Sequence, residues 1–387
     1  MREFAISIYL TLFKGLFGFF KLFPLKKKIT LVVSFPENAH SLYETLQKKQ
    51  SGIQLVVLSN KRSFDAFKGV NELTYLIESK HILHTIVGIY HLATSKRVVV
   101  DNYYGFLAVT KFKETVKCIQ MWHAVGAIKK FGAEDPANAN RSDVANQRFH
   151  RVYKRFDRIV IGSDFMGDIF KQAFVVSEDI FLRTGIPRTD LFFDESKCSE
   201  IQKALYQKQP LLKDKKVILY APTFRRTSSV QQIKLDVTQL YDALKKEYVV
   251  LVKRHPLDNS KLHILPEHED FIFDYTNHSD VNELLLITDV LITDYSSIPM
   301  EFSLLKRQMI FFAYDLEEYK KSNGFWEDYK QSVPGPVAKN TDEIVDAILN
   351  QPLDIERIEA YAQKWTKYCD GNASNRLADE ILKPWQN

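Results

Sequence analysis

Short apolar runs rich in β-branched residues alternate along this chain with segments of helical periodicity. Such runs are typical of parallel strands covered on both faces, because the connection between two parallel strands is usually a helix. A first set of predicted strands lies at residues 29–34, 53–58, 98–100, 118–122 and 158–162. A second set lies at residues 216–221, 248–253, 271–273, 290–293 and 309–313. The alternation predicts an α/β fold with two doubly wound, Rossmann-like domains.

The domain boundaries follow from length and from the position of the polar stretch between the two sets. A chain of 387 residues is long for one domain and comfortable for two. We expect an N-terminal helix over residues 1–28, a first domain over 29–195 and a second over 196–350. Helices over 351–387 are expected to pack back on the first domain. If the two domains face each other, ligands should bind at the carboxyl ends of the strands.

The N-terminal segment, residues 4–25, is mostly apolar. Charges inside it argue against a membrane-spanning helix, and no small-residue cleavage site follows it. The pattern favours an amphipathic helix in the membrane interface, with the lysines at 26–28 near anionic head groups. The alternative is a helix packed on the protein's own body. On a helical wheel the polar positions form one narrow stripe, made of Glu3, Ser7, Thr11, Lys14, Gly18 and Lys21.

Charge and cysteine content argue against a nucleic-acid binder and against a disulfide-linked framework. The formal net charge of +5 suits anionic substrates or anionic lipid, whereas no nucleic-acid recognition motif accompanies it. Three widely spaced cysteines, Cys118, Cys198 and Cys369, indicate a reducing compartment. There is no Asp-x-Asp pair, zinc spacing or Walker-type loop, so the residues assign no cofactor and leave metal dependence open.

Two polar clusters after predicted strands suggest acid–base and phosphate chemistry. His123 follows the strand at 118–122, and its imidazole has an ordinary pKa near neutrality, so it could accept a hydroxyl proton. Arg225 and Arg226 follow the strand at 216–221 and could donate to phosphate in pairs. The structural alternatives are a histidine bonded to the backbone and a solvated basic loop.

Two further clusters end strands of the second set. Lys253 and His255 suit phosphate binding or stabilisation of a leaving group; the alternative is a surface turn fixed by Pro256. Residues 293–301 read as a strand end, a turn and a helix start, whose backbone N–H groups and hydroxyls suit a diphosphate. The carboxylates in this stretch could accept from ribose hydroxyls. An ordinary capped strand–helix connection is the alternative.

Together these motifs resemble the CDP-glycerol glycerophosphotransferases that build wall teichoic acid in Gram-positive bacteria. Residues 101–104 and Trp122-His123-Ala124 are similar to those of the family's primases, and no long N-terminal extension precedes them. The resemblance covers nearly the whole chain. Its carriers are residues 101–104, 120–126, 129–132, 184–188, 221–225, 253 with 255–256, 293–297 with 301, 314–315, and 370–371 with 374.

The resemblance implies a GT-B fold and peripheral association with the cytoplasmic face of the cell membrane. It also implies transfer of one glycerol phosphate from CDP-glycerol to the N-acetylmannosamine of an undecaprenyl-diphosphate-linked disaccharide, with release of CMP. The first domain would receive the acceptor and the second the donor, and other teichoic acid synthesis enzymes would be partners. The alternatives are a poly(glycerol phosphate) polymerase of the same family, a GT-B glycosyltransferase using a nucleotide sugar, and a non-enzymatic scaffold at the membrane surface.

By the same resemblance, His123 is the base and His255 is a second essential histidine near the donor diphosphate. Many relatives carry Arg-Gly-Phe where this chain has Asn323-Gly324-Phe325, so a cation that could face the diphosphate is missing from this loop. The resemblance assigns donor binding to Thr223, Arg225, Lys253, Asp294, Ser296, Ser297, Glu301 and Arg376.

Overall fold

The computed structural model describes residues 2–49, 52–77, 80–225, 233–255, 258 and 262–383. The chain divides into two compact units. The first consists of Met1–Ala124, Phe131–Asp190 and Lys367–Asn387. The second consists of Val125–Lys130 and Leu191–Thr366.

Each unit contains one sheet, and every strand pairing in both sheets is parallel. The first unit holds strands β1 (Lys26–Val33), β2 (Gln54–Ser59), β3 (Thr74–Leu76), β4 (Ser95–Val100), β5 (Lys117–Gln120), β6 (Arg158–Val160) and β7 (Phe181–Leu182). The second unit holds β8 (Lys216–Ala221), β9 (Tyr248–Val252), β10 (Ile272–Asp274), β11 (Val290–Thr293), β12 (Gln308–Phe312) and β13 (Val337–Ala338).

Sixteen α-helices connect or flank these strands within the described residues. They are α1 (Arg2–Phe20), α2 (Pro36–Lys48), α3 (Lys61–Phe67), α4 (Ile82–Thr94), α5 (Asp143–Tyr153), α6 (Asp164–Phe174), α7 (Glu195–Lys208), α8 (Leu211–Asp214), α9 (Val237–Leu244), α10 (Val281–Leu285), α11 (Ile298–Phe302), α12 (Leu316–Asn323), α13 (Tyr329–Ser332), α14 (Thr341–Asn350), α15 (Ile355–Thr366) and α16 (Ala373–Leu382).

In both sheets, the carboxyl ends of the strands lie along one edge. The first sheet runs β3-β2-β1-β4-β5-β6-β7 and the second runs β10-β9-β8-β11-β12-β13. Central strands such as Val98–Val100 and Val249–Leu251 are fully buried, which explains their continuous apolar sequence. Because all strands are parallel, their carboxyl ends share one edge of each sheet, where loops are free to carry polar residues.

The observed structure differs from the predicted elements in its short edge strands, in the end of helix α1 and in the C-terminal helices. The three strands β3, β7 and β13 were not predicted, because two or three residues are too few to show a periodic pattern. Helix α1 ends at Phe20 rather than near residue 25. Helix α15 belongs to the second unit, whereas α16 belongs to the first.

Helix α1 packs on the first unit and also exposes apolar residues. Leu10, Phe13 and Phe17 are buried, and the Phe13 ring stacks on Phe106 with centroids 4.9 Å apart. Apolar residues lie on the buried side and on the exposed side of this helix. The predicted amphipathic character is not confirmed. Among the described helices, α1 is long and apolar enough by length and composition to cross a membrane. Its exposed large side chains are Phe4, Ile8, Leu12 and Phe19.

Candidate active site

His123 lies just beyond β5, at the carboxyl edge of the first sheet. Its Nδ1 atom is 3.0 Å from the backbone carbonyl oxygen of Asp101. Because a carbonyl oxygen can only accept, Nδ1 carries the proton and Nε2 keeps a lone pair. The ring stacks on Phe35, with centroids 4.3 Å apart and an interplanar angle of 18°. The histidine is therefore held in the tautomer that a general base requires.

The surroundings of His123 also keep it neutral. Burial lowers the pKa of His123 to about 4, and the nearby positive charge of Arg188 acts in the same direction. The hydrogen bond to the Asp101 carbonyl opposes both effects. An imidazole with this pKa is unprotonated at neutral pH, so the Nε2 lone pair is available, while its proton affinity is lower than that of an ordinary histidine.

The carboxylate of Asp101 ties together the loops that follow β1 and β4. It accepts hydrogen bonds from the backbone N–H groups of Ser34 and Phe35, at 2.8 Å for the shortest contact with each, and from the Tyr104 hydroxyl at 2.7 Å. Burial raises the pKa of Asp101 to about 7 despite these bonds. Asp101 thus fixes Phe35, the residue on which the His123 ring stacks.

Asp294 has the equivalent position in the second sheet. It follows β11, which lies beside β8 just as β4 lies beside β1. Its Oδ1 atom accepts from the backbone N–H groups of Thr223 at 2.8 Å and Tyr295 at 2.7 Å. Its Oδ2 atom accepts from Arg225 at 2.8 Å. Asp294 is only 2% exposed, so its carboxylate organises the loops after β8 and β11.

Arg225 is surrounded by carboxylates and aromatic rings. Its guanidinium donates to Asp294 and, through Nε at 2.7 Å and Nη2 at 3.0 Å, to Asp315. Its Cζ atom lies within 6 Å of the ring centroids of Tyr295, Tyr314 and Tyr319. Burial disfavours the charge, but the carboxylates keep the pKa of Arg225 above its ordinary value. Arg226, the other predicted phosphate donor, lies outside the described residues.

Hydroxyl groups collect at the same edge. The Ser296 and Thr293 hydroxyls are 3.0 Å apart, and the Thr293 hydroxyl donates to the backbone carbonyl of Ala221 at 2.7 Å. The Thr223 hydroxyl is buried and has no hydrogen-bond partner among the residues that the structure describes. Ser297 is the residue before α11, although its side chain makes no capping bond. Glu301 lies in α11 and is fully buried.

The loop after β9 contributes a lysine and a histidine. The Lys253 ammonium donates to the backbone carbonyl of Thr276 at 2.8 Å. His255 is exposed, and its ring lies 5.5 Å from that of Phe224, in the loop after β8. Arg254, between them, is buried and pairs with Asp274 at 3.0 Å. Pro256, the residue expected to fix this turn, lies outside the described residues.

A cavity of about 1040 Å³ opens beside these loops in the second unit. Within the described residues, no group of three or more His, Cys, Asp or Glu side chains is arranged to hold a metal ion. The walls of the cavity carry hydrogen-bonding and charged groups from strand-end loops. Its lining includes Tyr220, Pro222, Thr223, Arg225, Tyr314 and Asp315.

Arg376 lies in the first unit, on α16, whereas the other predicted donor residues belong to the second unit. Its guanidinium donates to the backbone carbonyls of Thr184 and Tyr368 and to the Asp370 carboxylate. Asp190 accepts from the first N–H groups of α16. The motifs at residues 184–188 and 370–374, which are far apart in sequence, thus lie together and attach the C-terminal segment to the first unit.

The loop at Asn323-Gly324-Phe325, where the resemblance predicts a missing cation, makes a side-chain bond, a backbone bond and a ring contact. Asn323 donates through its side chain to the carbonyl of Tyr319 within α12 at 3.2 Å. The carbonyl of Gly324 accepts from the Lys130 backbone N–H at 3.2 Å, and Phe325 stacks near Tyr295.

The fold and these loops define a class of Rossmann-like α/β proteins whose polar groups gather at the carboxyl ends of parallel strands. Residues 17–383 match the family model described as CDP-Glycerol:Poly(glycerophosphate) glycerophosphotransferase. The chain belongs to this family and is therefore a transferase.

Three curated relatives match between 92% and 98% of this chain. The chain is 34% identical over 386 residues to the teichoic acid glycerol-phosphate primase of Bacillus subtilis (strain 168), covering 98% of each chain. It is 37% identical over 359 residues to the primase of the same name from Bacillus spizizenii, covering 92% of each. A teichoic acid ribitol-phosphate primase from that organism is 35% identical, with 95% of each chain covered.

Solved structures show the same fold. The wall teichoic acid polymerase TagF superposes with a TM-score of 0.80 and 25% identity, over 99% of this chain and 97% of that one. A TagF variant soaked with CDPG gives a TM-score of 0.79. A UDP-GlcNAc 2-epimerase from Neisseria meningitidis, 14% identical with a TM-score of 0.61, shares the fold alone.

Proposed function

We propose that this transferase is a teichoic acid glycerol-phosphate primase. It moves one glycerol phosphate from CDP-glycerol to the N-acetylmannosamine hydroxyl of an undecaprenyl-diphosphate-linked disaccharide and releases CMP. The observation that carries the proposal is the match to two glycerol-phosphate primases over 92–98% of each chain. The CDPG soak of TagF, a structural relative, supports CDP-glycerol as the donor.

The chemistry that we propose is a displacement at the β-phosphorus of the donor. The acceptor oxygen forms a bond to this phosphorus, the bond from phosphorus to the bridging oxygen breaks, and CMP leaves with the bonding electrons. Nε2 of His123 takes the hydroxyl proton. This role is supported by the Nδ1–H tautomer, which leaves the lone pair on Nε2. The lowered pKa keeps the ring neutral at working pH, although it also makes the imidazole a weaker base. Because charge spreads over phosphoryl oxygens, positioned donors are the main catalytic requirement.

Donor binding is proposed for the second unit. His255 and Lys253 stabilise the departing phosphate, while the hydroxyls of Thr223, Ser296 and Ser297 bind the diphosphate. Asp294 and Arg225 contribute by holding the loops, because their charged atoms are already paired with each other. Glu301 remains assigned to the donor site from the sequence resemblance alone. The cavity beside Thr223 and Arg225 has the size of a small-molecule site and is proposed to take the nucleotide.

Arg376 is the donor-binding assignment that the geometry supports least. Its three donor nitrogens are directed at groups within the first unit. We therefore propose that it stabilises the attachment of α16. The GT-B arrangement of the two units and the partnership with other teichoic acid enzymes remain predictions from the resemblance.

Membrane association is proposed to use the exposed apolar residues of α1. Phe4, Ile8, Leu12 and Phe19 recur at spacings that share one side of a helix. Exposed lysines at 14, 26 and 27 border the helix and suit anionic head groups, whereas Lys28 is buried and does not contribute. A peripheral position on the cytoplasmic face would bring the enzyme to its lipid-linked acceptor.

The test is release of CMP from CDP-glycerol with and without the lipid-linked disaccharide, together with the mass of the product. The proposal requires acceptor-dependent release and a product heavier by one glycerol phosphate. A ladder of additions would indicate a polymerase. Because a ribitol-phosphate primase is 35% identical, CDP-ribitol is tested in parallel, and a UDP-sugar panel tests the glycosyltransferase alternative. Turnover with one of these donors alone would overturn the donor assignment.

A further inference from the structure

Trp122, the residue before His123, has an unusual backbone conformation. Its φ angle is +61°, in the left-handed region that bulky residues rarely adopt. Among the described non-glycine residues, Val175 and Lys306 share this feature, but both end helices. Trp122 instead follows a strand and precedes the proposed base. A conformation of this kind persists only where its surroundings enforce it.

Two buried amide side chains hold the Trp122 backbone. The Trp122 N–H donates to Oε1 of Gln120 at 2.8 Å, and the Trp122 carbonyl accepts from Nδ2 of Asn38 at 3.1 Å. Gln120 is 0% exposed and Asn38 is 2% exposed. Both polar groups of this strained residue are thus bound by side chains that water does not reach.

Each amide is fixed at its other end by a segment that contacts His123. Nε2 of Gln120 donates to the carbonyl of Asn102. Asn102 directly follows Asp101, and the Asp101 carbonyl accepts from the His123 ring. Oδ1 of Asn38 accepts from the backbone N–H of Arg188, and the Arg188 guanidinium donates to the carbonyl of His123 at 3.0 Å. The two amides therefore connect Trp122 to the groups that orient the His123 ring.

We propose that Gln120 and Asn38 are positioning residues for the transfer reaction. By holding Trp122 in the left-handed conformation, they direct the His123 ring so that Nδ1 meets the Asp101 carbonyl and Nε2 faces the substrate hydroxyl. The inference rests on the proposed role of His123 as base. Neither amide contacts the reacting atoms, so both act through His123.

The experiment uses the full chain and two nearly isosteric variants, Gln120→Met and Asn38→Leu. The first readout is the ¹⁵N spectrum of histidine-labelled protein without substrate, in which the His123 signals are identified by their loss in His123→Ala. We expect wild type to show one Nδ1–H tautomer and both variants to show a mixture of tautomers.

The second readout is turnover, for which we expect kcat to fall about 10- to 100-fold, the scale of a misplaced catalytic group. The KM for CDP-glycerol should change less than about two-fold, because donor binding is proposed for the other unit.

One further variant separates positioning from general stability. Gln308→Met removes a comparable amide-to-backbone bond in the second unit, to the carbonyl of Ala347, and should leave tautomer and kcat unchanged. Asn38→Leu tests the same arrangement from the carbonyl side of Trp122, which also covers the case that Gln120→Met does not fold. Unchanged His123 signals and kcat in Gln120→Met and Asn38→Leu would overturn the inference. So would an equal loss of kcat in Gln308→Met. If wild type releases no CMP, the proposed function fails, while the spectrum still tests the arrangement of Trp122.

Discussion

The Nδ1 atom of His123 lies 3.0 Å from the backbone carbonyl oxygen of Asp101, and this contact determines which ring nitrogen can act as a base. The acceptor is a main-chain atom, so its identity does not depend on the side chain of residue 101. The Asp101 side chain contributes indirectly, because its carboxylate fixes the backbone of the Phe35 loop against which the imidazole stacks.

The pH dependence of the reaction should reflect the buried state of His123. Burial lowers its pKa to about 4, from the ordinary value of about 6.5. The proposed base is thus neutral above about pH 5, and the acid limb of kcat/KM due to His123 should lie near pH 4. A pH–rate profile with CDP-glycerol measures this. An acid limb near the ordinary histidine pKa of about 6.5 that disappears in a His123 variant would contradict it.

Replacing either proposed catalytic histidine should remove most of the activity. We expect His123→Ala and His255→Ala each to lower kcat about 10²- to 10⁴-fold, the range for loss of a positioned acid–base group. His150→Ala, which changes an exposed histidine in α5, is the matched control and should retain wild-type turnover. Thermal unfolding of all three variants reports folding. Near-normal CMP release by both variants would refute the mechanism.

Arg225→Met should destabilise the second unit. The substitution leaves two carboxylates, Asp294 and Asp315, without their cation in a buried site, which typically costs about 3–5 kcal/mol. Lys216→Met removes a solvent-exposed pair with Glu247 and should cost less than about 1 kcal/mol. Denaturant unfolding of each variant measures the difference in free energy. Equal effects would show that the Arg225 pairs do not support the loops.

Gly185→Ala should also be destabilising, for a backbone reason. Gly185 has φ of +80°, and a Cβ atom there would lie 2.2 Å from the carbonyl oxygen of Tyr368. Strain and displacement of the C-terminal segment together should cost more than about 1 kcal/mol of unfolding free energy. Gly105, with no positive φ and nothing within 4 Å of the same Cβ position, is the control. A Gly185→Ala protein as stable as Gly105→Ala would contradict this account.

Membrane binding should depend on the exposed apolar residues of α1. Leu12→Ser and Phe19→Ser remove side chains that are 64% and 56% exposed, so folding should be unaffected. We expect the double variant to bind vesicles containing anionic lipid more weakly than wild type, because apolar insertion is lost. Co-sedimentation measures the bound fraction, with Thr11→Ser on the polar stripe as control. Deletion of residues 1–25 is a less direct test, since Phe13 and Phe17 belong to the core. Unchanged binding by the double variant would refute the proposal.

Most of the sheet elements were predictable because burial on both faces leaves a direct mark in the sequence. The strands at Lys216–Ala221 and Val290–Thr293 have the predicted bounds, and each is a continuous apolar run. Helices such as α4 and α14 also follow their periodic patterns. Edge strand β13, with two residues, has no such pattern and is formed only by pairing with β12.

The side chains around the candidate site were less predictable. Sequence position indicated that His123, Thr223 and Asp294 would end strands, since parallel strands share a carboxyl edge. It gave no sign that Asn38 in α2 would bond Trp122, or that Asp315 and three tyrosines would surround Arg225. These contacts join residues separated by 70 to 94 positions, and they lack a local pattern. Sequence also grouped Arg376 with the donor residues, whereas its contacts lie within the first unit.

Sequence by itself determined the α/β class, the order of the central elements and the motifs of the family, because local periodicity and residue type encode them. Tertiary structure alone decided the tautomer of His123, the left-handed Trp122 and the pairing of Arg225 with two carboxylates. Each of these depends on burial and on hydrogen bonds between distant segments, and such bonds exist only once the chain has folded.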